Sequence, residues 1–252
     1  MEDKYVEKDR VFIKLIPKQT AKTMIVNNHY SRKWTLCKYA LGIFYRTDNE
    51  HAFFDEKEEK LVGVAVYGGP IGRLAAQSIS EELNQNQVLE LTRLFIFDGY
   101  GKNIESLALG LTFKWLKEND STIKALISYS DPKVNHKGTI YQATNWLYQG
   151  NKTKILDSRQ FKFKKDGDWV HSRTVNEIYG TNKIDDLTPK VGHTYWWRIE
   201  PHKHRYVYIL ADKSEKRRIM KTLKHPPIPY IKELEDENMQ VFEVKVEDTF
   251  YG

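Results

Sequence analysis

Leu89 to Asn119 reads LELTRLFIFDGYGKNIESLALGLTFKWLKEN, and its two halves have different periods. Leu89 to Asp98 is rich in Leu, Phe and Ile and reads as a strand. Gly99-Tyr100-Gly101-Lys102-Asn103 interrupts it as a loop. Ile104 to Asn119 then places Ile104, Leu107, Leu111 and Trp115 three or four residues apart, the spacing of an amphipathic helix, with Asn103 expected as its N-cap. Strand, glycine loop and helix in that order predict an α/β protein. They also predict an anion site, because free N–H groups and the helix dipole meet at the loop. Lys102 and Ser106 stand beside that site. The glycine spacing fits neither a Walker loop nor a dinucleotide loop.

Working outward, LVGVAVY at Leu61 to Tyr67 is a second strand ending at Gly68-Gly69-Pro70, and Tyr39 to Tyr45 a third. Lys18 to Asn27 is expected to form a short helix that delivers His29-Tyr30-Ser31. Residues 72–87 read as an irregular or short helical insertion. Beyond Trp146 the pattern weakens, and Tyr206 to Leu210 is the one strong strand. The stretch ALISYSDPKVNHKGTIYQATNW, Ala125 to Trp146, carries the densest chemistry. Its apolar run ends at Ser130-Asp131-Pro132, and a helical segment starting at His136 presents Tyr141. Strand ends and helix starts are where α/β proteins place reactive groups, so Asp131, His136 and Tyr141 are expected to share a cleft.

The chain has 252 residues, 40% of them hydrophobic, which suits a globular protein with a sizeable core. No apolar run approaches the roughly 20 residues of a membrane span. The opening MEDKYVEKDR lacks the apolar core of a signal peptide. One cysteine, Cys37, permits no intramolecular disulfide and fits a reducing compartment, so a cytoplasmic location is expected. The net charge of +6 is unevenly spread. His202 to Lys224 holds eight Lys/Arg against two acids, whereas Glu233 to Gly252 holds seven acids against one Lys. A basic stretch from Lys152 to Lys165 interleaves Arg159 and Lys162 with Phe161 and Phe163, a composition that suits phosphates and stacked bases.

Taken in order, HYSRKW at His29, LELTRLFIFD at Leu89, GKNIES at Gly101, ISYSDP at Ile127, HKGTIYQATNWLYQG at His136, HSR at His171 and KHRYVYIL at Lys203 resemble the Mom family of phage DNA-modification proteins. That family is regarded as a divergent branch of the GNAT acyltransferases. The resemblance spans roughly Asn27 to Leu210. It implies a mixed sheet splayed between its fourth and fifth strands, here Leu89 to Phe97 and Ala125 to Tyr129. An acyl donor would lie in the gap and its pyrophosphate on Gly99 to Asn103. The expected organisation is a GNAT-like catalytic domain over 1–210, with a basic helix, a Pro-rich segment and an acidic tail over 211–252.

The resemblance further implies transfer of a carbamoylmethyl or other acyl-derived group to the exocyclic amine of adenine in double-stranded DNA, shielding the genome from host restriction. The base would have to be flipped out. Arg93, Phe95, Ile96, Gly99, Gly101, Lys102, Asn103 and Ser106 fall at donor-binding positions. The usual Arg/Gln-x-x-Gly-x-Gly/Ala loop is absent, so acetyl-CoA or another acyl or aminoacyl donor is left open. Tyr141 falls where many GNAT enzymes keep a tyrosine that protonates the leaving thiolate, and Asp131 is paired with it as the central candidate. His29, Tyr30, Tyr129 and His136 complete the catalytic set. Asp131, His136 and His29 have ligand types that suit non-haem iron. Arg159, Lys162, His171, Arg173, Lys203 and Arg205 are expected to hold DNA. Two other readings stand beside this one: an ordinary acetyltransferase acting on a small amine or protein lysine, and a non-catalytic DNA-binding protein.

Overall fold

In a computed structural model, residues 4–48, 57–70, 74–132, 135–151, 159–199, 203–233 and 240–246 are described. Part of the expected insertion (72–73), of the basic stretch (152–158) and of the acidic tail (234–239 and 247–252) lies outside the described residues. In chain order the elements are β1 (Val11–Leu15), α1 (Lys18–Asn28), β2 (Tyr39–Asp48), β3 (Lys57–Gly68), β4 (Val88–Ile96), α2 (Ile104–Asn119), β5 (Ala125–Ser130), α3 (Thr139–Ala143), β6 (Leu147–Tyr148), β7 (Arg159–Lys162), β8 (Val170–His171), α4 (Ser172–Tyr179), α5 (Ile184–Val191), β9 (Tyr195–Ile199), β10 (His204–Ile209), α6 (Lys213–Lys221) and β11 (Val241–Val244).

The chain divides into two compact units. Met1–Ser130, Gly138–Gly150 and His204–Tyr230 form the first, and Asp131–Lys137, Asn151–Lys203 and Ile231–Gly252 the second. Residues 210 and 211, on either side of the expected division, both lie in the first unit. Helix α6 buries Ile219 in the same cluster as Val207 and Ile209 of β10, which ties it to the first unit.

Among the described residues the first unit holds a seven-stranded sheet in the order β1-β2-β3-β4-β5-β10-β6. Every neighbouring pair is antiparallel except β4 and β5. Those two run parallel and pair only over Val88–Ala125, Leu89–Leu126 and Glu90–Ile127. Beyond Glu90 they separate, although β4 continues to Ile96 and β5 to Ser130. This is a mixed α/β sheet that parts between its fourth and fifth strands, as the resemblance implied. A bulge at Thr92 accompanies the parting: Val66 pairs with Arg93 and Tyr67 with Leu91, leaving Thr92 as the extra residue.

The apolar run of β3 is continuous because both faces are covered; Val62, Val64, Ala65, Val66 and Tyr67 are all buried. Helix α1 packs Ala21 and Ile25 against Ala40, Val64 and Val66. Helix α2 occupies the expected residues, but its inward face is rotated from the expected stripe. Ile104, Ala108, Leu109, Thr112, Phe113 and Leu116 are buried, whereas Leu107, Leu111 and Trp115 are only partly so. Small Ala108 and Thr112 allow the close approach, and Thr112 Oγ1 lies 2.7 Å from the Tyr67 hydroxyl of β3. Asn103 takes a left-handed conformation (φ 69°) and its side chain makes no capping bond, contrary to the expected N-cap.

The second unit contains a four-stranded antiparallel sheet, β11-β9-β7-β8, with Phe161, Val175, Leu187 and Tyr195 buried at its core. No described helix is long and apolar enough to cross a membrane.

Candidate active site

Main-chain pairing between β4 and β5 stops at Glu90 and Ile127, and the next side chain of β5 bridges the opening. Ser128, almost fully buried, lies 2.9 Å from the Leu91 carbonyl and 2.8 Å from the Tyr141 hydroxyl, placed to donate to either oxygen. It has one proton, so it serves one acceptor at a time. When it turns to Tyr141, the phenol's own O–H is released from that contact.

Tyr141 sits in α3, five residues that begin at Thr139 and not at His136 as expected. The helix starts at Gly138, whose φ of +71° and lack of a side chain are both required, since a Cβ there would lie 2.5 Å from the Tyr206 ring. The Tyr141 ring packs between Trp146, at 5.2 Å between centroids, and Tyr206, at 4.8 Å. Burial pushes its hydroxyl pKa up to about 12, against a smaller lowering by Ser128. At neutral pH the phenol is protonated and acts as a donor.

Two further candidates stand in electrostatic reach of Tyr141 or of each other. Tyr30, just past the end of α1, is 56% exposed, and its charge would act on both Tyr141 and Arg93. Arg93 follows the bulge in β4. Its Nε donates to the Lys33 carbonyl (3.0 Å) and its Nη1 to the Thr92 carbonyl (2.6 Å), and burial holds its pKa below the usual value. Hydrogen bonds to main-chain oxygens orient the guanidinium without neutralising it. His29 is buried beneath Tyr30, 4.2 Å between ring centroids. Its Nδ1 accepts from the Ser31 N–H at 3.1 Å. In the neutral ring the proton then sits on Nε2, a tautomer that donates there. Tyr129, beside Ser128 in β5, is packed against the core cluster and burial raises its pKa.

Part of the loop after β4 is committed within the chain. Lys102 N–H, one of the donors assigned to an anion, is given to the Lys4 carbonyl (2.9 Å), and Lys102 O accepts from Val6 N–H (3.1 Å). Gly101 (φ +99°) is pressed against this N-terminal segment, where a Cβ would meet Val6 N at 2.8 Å. The Ser106 hydroxyl donates to Asn103 O at 3.0 Å. Gly99 has open space around it. A pyrophosphate cradle built on the Lys102 amide therefore does not fit this loop. Phe95 and Ile96 are partly buried, Phe95 against the α1 cluster and Ile96 against the α2 cluster.

Asp131 and His136 belong to the second unit and Tyr141 to the first. Asp131 lies 3.7 Å from Lys203 Nζ, and its carbonyl accepts from His136 N–H at 3.3 Å. Among the described residues no group of three or more His, Cys, Asp or Glu side chains is arranged to hold a metal ion. The expected iron set of Asp131, His136 and His29 is therefore not assembled.

Residues 10–232 match the Mom protein family, most of the chain's length. The chain belongs to the Mom protein family. A curated relative, Methylcarbamoylase mom of Escherichia phage Mu, is 25% identical over 215 residues, covering 83% of this chain and 79% of that protein. Among solved structures, an N-acetyltransferase from Staphylococcus aureus Mu50 covers 79% of this chain and 97% of its own, with 11% identity and a TM-score of 0.37. A GNAT-family acetyltransferase from Bacillus anthracis covers 82% and 98%, with 10% identity and a TM-score of 0.41.

This Mom-family chain carries its DNA candidates mostly in the second unit. Arg159 lies over Trp197 at 5.2 Å, and Lys162 over Trp169 and Trp196 at 5.2 and 5.5 Å. Arg198, which sequence reasoning missed, lies over Trp169 at 4.1 Å, with Gln160 Oε1 accepting from its Nε and Nη2 at 3.0 and 2.7 Å. Gln160 and Arg198 are cross-strand partners, as are Lys162 and Trp196, so β7 and β9 interleave cations with indoles on one face. His171 caps α4 by accepting the Arg173 N–H at 3.0 Å, and Arg173 is exposed. Arg205 is a correction. It is 1% exposed and donates to Ser78 Oγ at 2.9 Å, inside a strand whose neighbours are also buried. It offers no surface to a duplex.

Proposed function

We propose that this chain is a DNA-modifying transferase that attaches a carbamoylmethyl or related acyl-derived group to the exocyclic amine of adenine, as a phage defence against restriction, within the host cytoplasm. The observation that carries this reading is the parting of β4 and β5 with the Ser128–Tyr141 pair in its opening, in a chain of the Mom family. In the reaction the adenine nitrogen bonds to the donor's electrophilic carbon and gives up a proton that finally restores Tyr141, while the bond from that carbon to the leaving group breaks and the leaving group must take a proton. Tyr141 is protonated at neutral pH and supplies that proton; Ser128, turning from the Leu91 carbonyl, stabilises the phenolate left behind. Tyr30, exposed and lying against His29, suits stacking on an adenine swung out of a duplex whose pairing would otherwise hold the amine.

The donor is an activated acyl or aminoacyl compound, of which acetyl-CoA is one. Arg93 stands ready for its anionic part, and the Lys102 amide is committed elsewhere. The cation–indole face of β7 and β9 suits phosphates and unpaired bases. The test is nucleoside mass spectrometry on DNA from cells expressing the full chain. A mass-shifted deoxyadenosine is expected, and its added mass identifies the group. Unmodified DNA from folded protein, together with acylated amines or lysines, would replace this reading with that of an ordinary acyltransferase.

A further inference from the structure

Helix α6 carries a basic stretch that the DNA candidates named so far leave out. Lys213, Lys216, Arg217 and Lys221 are all exposed on it. By helical spacing Lys213, Arg217 and Lys221 stand at i, i+4 and i+8, on the side away from the buried Ile219. They make a stripe about 12 Å long, from the helical rise of roughly 1.5 Å per residue. Lys216 borders the stripe, with its Nζ 5.8 Å from the centre of the Tyr208 ring.

The other cations around this helix are matched by acids. Lys124 pairs with Glu215 at 2.8 Å, Lys224 with Glu81 at 3.0 Å and Arg218 with Glu82 at 3.6 Å. Among the described residues, Lys213, Lys216, Arg217 and Lys221 make no ion pair. Asp212, the acid at the start of α6, accepts from the Ser214 and Glu215 amides and is committed to the cap. Lys213–Arg217 and Arg217–Lys221 are like-charge neighbours at i,i+4, which weaken a helix. Lys213 and Lys216 also oppose the positive N-terminal end of its dipole. Helix α2 of the same unit does the reverse, setting Lys114 before Glu118 at 3.9 Å. A face turned only to water has no need of such repulsion, and a polyanion relieves it.

We propose that the α6 stripe is a further nucleic-acid contact, a grip on the phosphate backbone of duplex DNA. This contact rests on the DNA-modification reading and extends it to a surface of the first unit. Charge complementarity selects the phosphates, and the lack of an exposed ring selects the backbone. None of the exposed large apolar side chains lies on α6, and Ile219 is turned into the core with Val207 and Ile209. That leaves no platform for the stacked bases of a single strand and no apolar face to lie in a lipid surface. A row of cations without base contacts holds a duplex in place and reads no sequence.

The experiment measures binding of the full chain to a labelled duplex oligonucleotide by fluorescence anisotropy across a series of salt concentrations. One variant combines Lys213→Gln, Lys216→Gln, Arg217→Gln and Lys221→Gln. A charge-matched control combines Lys8→Gln, Lys60→Gln, Lys114→Gln and Lys117→Gln, exposed lysines elsewhere in the first unit. At about 0.9 per phosphate, the α6 variant is expected to flatten the salt slope by about three to four and to lose about 100-fold or more in duplex affinity at about 0.2 M salt. The control is expected to lose less than about tenfold, through the general field alone. The α6 variant should melt at or above the parent temperature, because the like-charge pairs have gone. Unchanged affinity and slope in the α6 variant overturn the proposal, and so does an equal loss in the control, which assigns the effect to net charge. A loss seen with an oligothymidylate or with phosphatidylserine vesicles, and not with the duplex, overturns it too. A parent chain that binds no duplex overturns the DNA-modification reading as well, whereas tight binding that ignores α6 overturns this proposal alone. If the fourfold variant melts below the parent, Lys213→Gln with Arg217→Gln takes its place, with an expected slope change of about two.

Discussion

The two units handle polar side chains in opposite ways. In the first, hydroxyls are drawn inward and paired: Tyr67 with Thr112, Tyr141 with Ser128, each at hydrogen-bond distance in a mostly apolar setting. In the second, cations lie over indole rings on strands of two to five residues, as Lys162 and Arg198 do over Trp169. Burial in the first unit moves pKa values, upward for both Tyr67 and Tyr141, whereas the second unit's cations stay partly exposed. The difference teaches where to look for chemistry and where for grip. A buried donor with a switchable partner suits proton transfer; a partly wet array of Arg, Lys and Trp suits a charged polymer with flat bases.

The largest expected effect sharpens that contrast. Tyr141→Phe should keep the ring packing against Trp146 and Tyr206 but remove the donor, lowering DNA modification by about 100-fold or more, the usual contribution of a positioned general acid. DNA binding, measured by fluorescence anisotropy, should be unchanged. Equal losses in both assays would break the division of labour.

Next in size is a backbone test of how α3 is positioned. Gly138→Ala adds a Cβ that would meet the Tyr206 ring and strains a positive φ. It should cost about 2–4 kcal/mol in urea unfolding, summing left-handed strain and overpacking. A change within error would show that α3 can start elsewhere and that Tyr141 is not held as described.

In the second unit, Arg198→Ala and Lys162→Ala should each weaken DNA binding by about tenfold at physiological salt and reduce the salt slope by about one. The melting temperature should move little. An unchanged slope would remove these strands from the DNA contact.

The smallest effect is a pH dependence. Tyr141 has a folded-state pKa raised to about 12, from an ordinary value of 10.0. Its contribution to stability is therefore complete below pH 10 and lost as pH rises through about 12, since the unfolded chain ionises first. Tyr141→Phe should flatten part of the stability decline between those values; Tyr67, raised as well, keeps the rest.

Much of the first unit was legible because its elements are long and strongly periodic. The strands at Leu61, Leu89 and Ala125 and the helix at Ile104 lie where the pattern put them. The second unit was not, because YWWRI at Tyr195 has no alternation to read, and strands as short as Val170–His171 carry no period. The loop at Gly99 misled for a different reason. Its glycines were visible, but the partner for the Lys102 amide comes from Lys4, a distant contact that no local pattern encodes. Arg205 is misplaced by its local sequence, because KHRYVYIL looks like a basic surface segment whereas Arg205 falls within the buried strand His204–Ile209. Ser128 carries no sequence signal, because a serine in an apolar strand looks inert until the neighbouring strand departs.

The most direct test of the central claim is to quantify modified deoxyadenosine by mass spectrometry in DNA from cells making equal amounts of the parent chain, Tyr141→Phe and Ser128→Ala. The account predicts abundant modified nucleoside from the parent, almost none from Tyr141→Phe, and a partial loss from Ser128→Ala. Parental levels from a folded Tyr141→Phe would contradict it, placing the proton transfer outside the gap between β4 and β5.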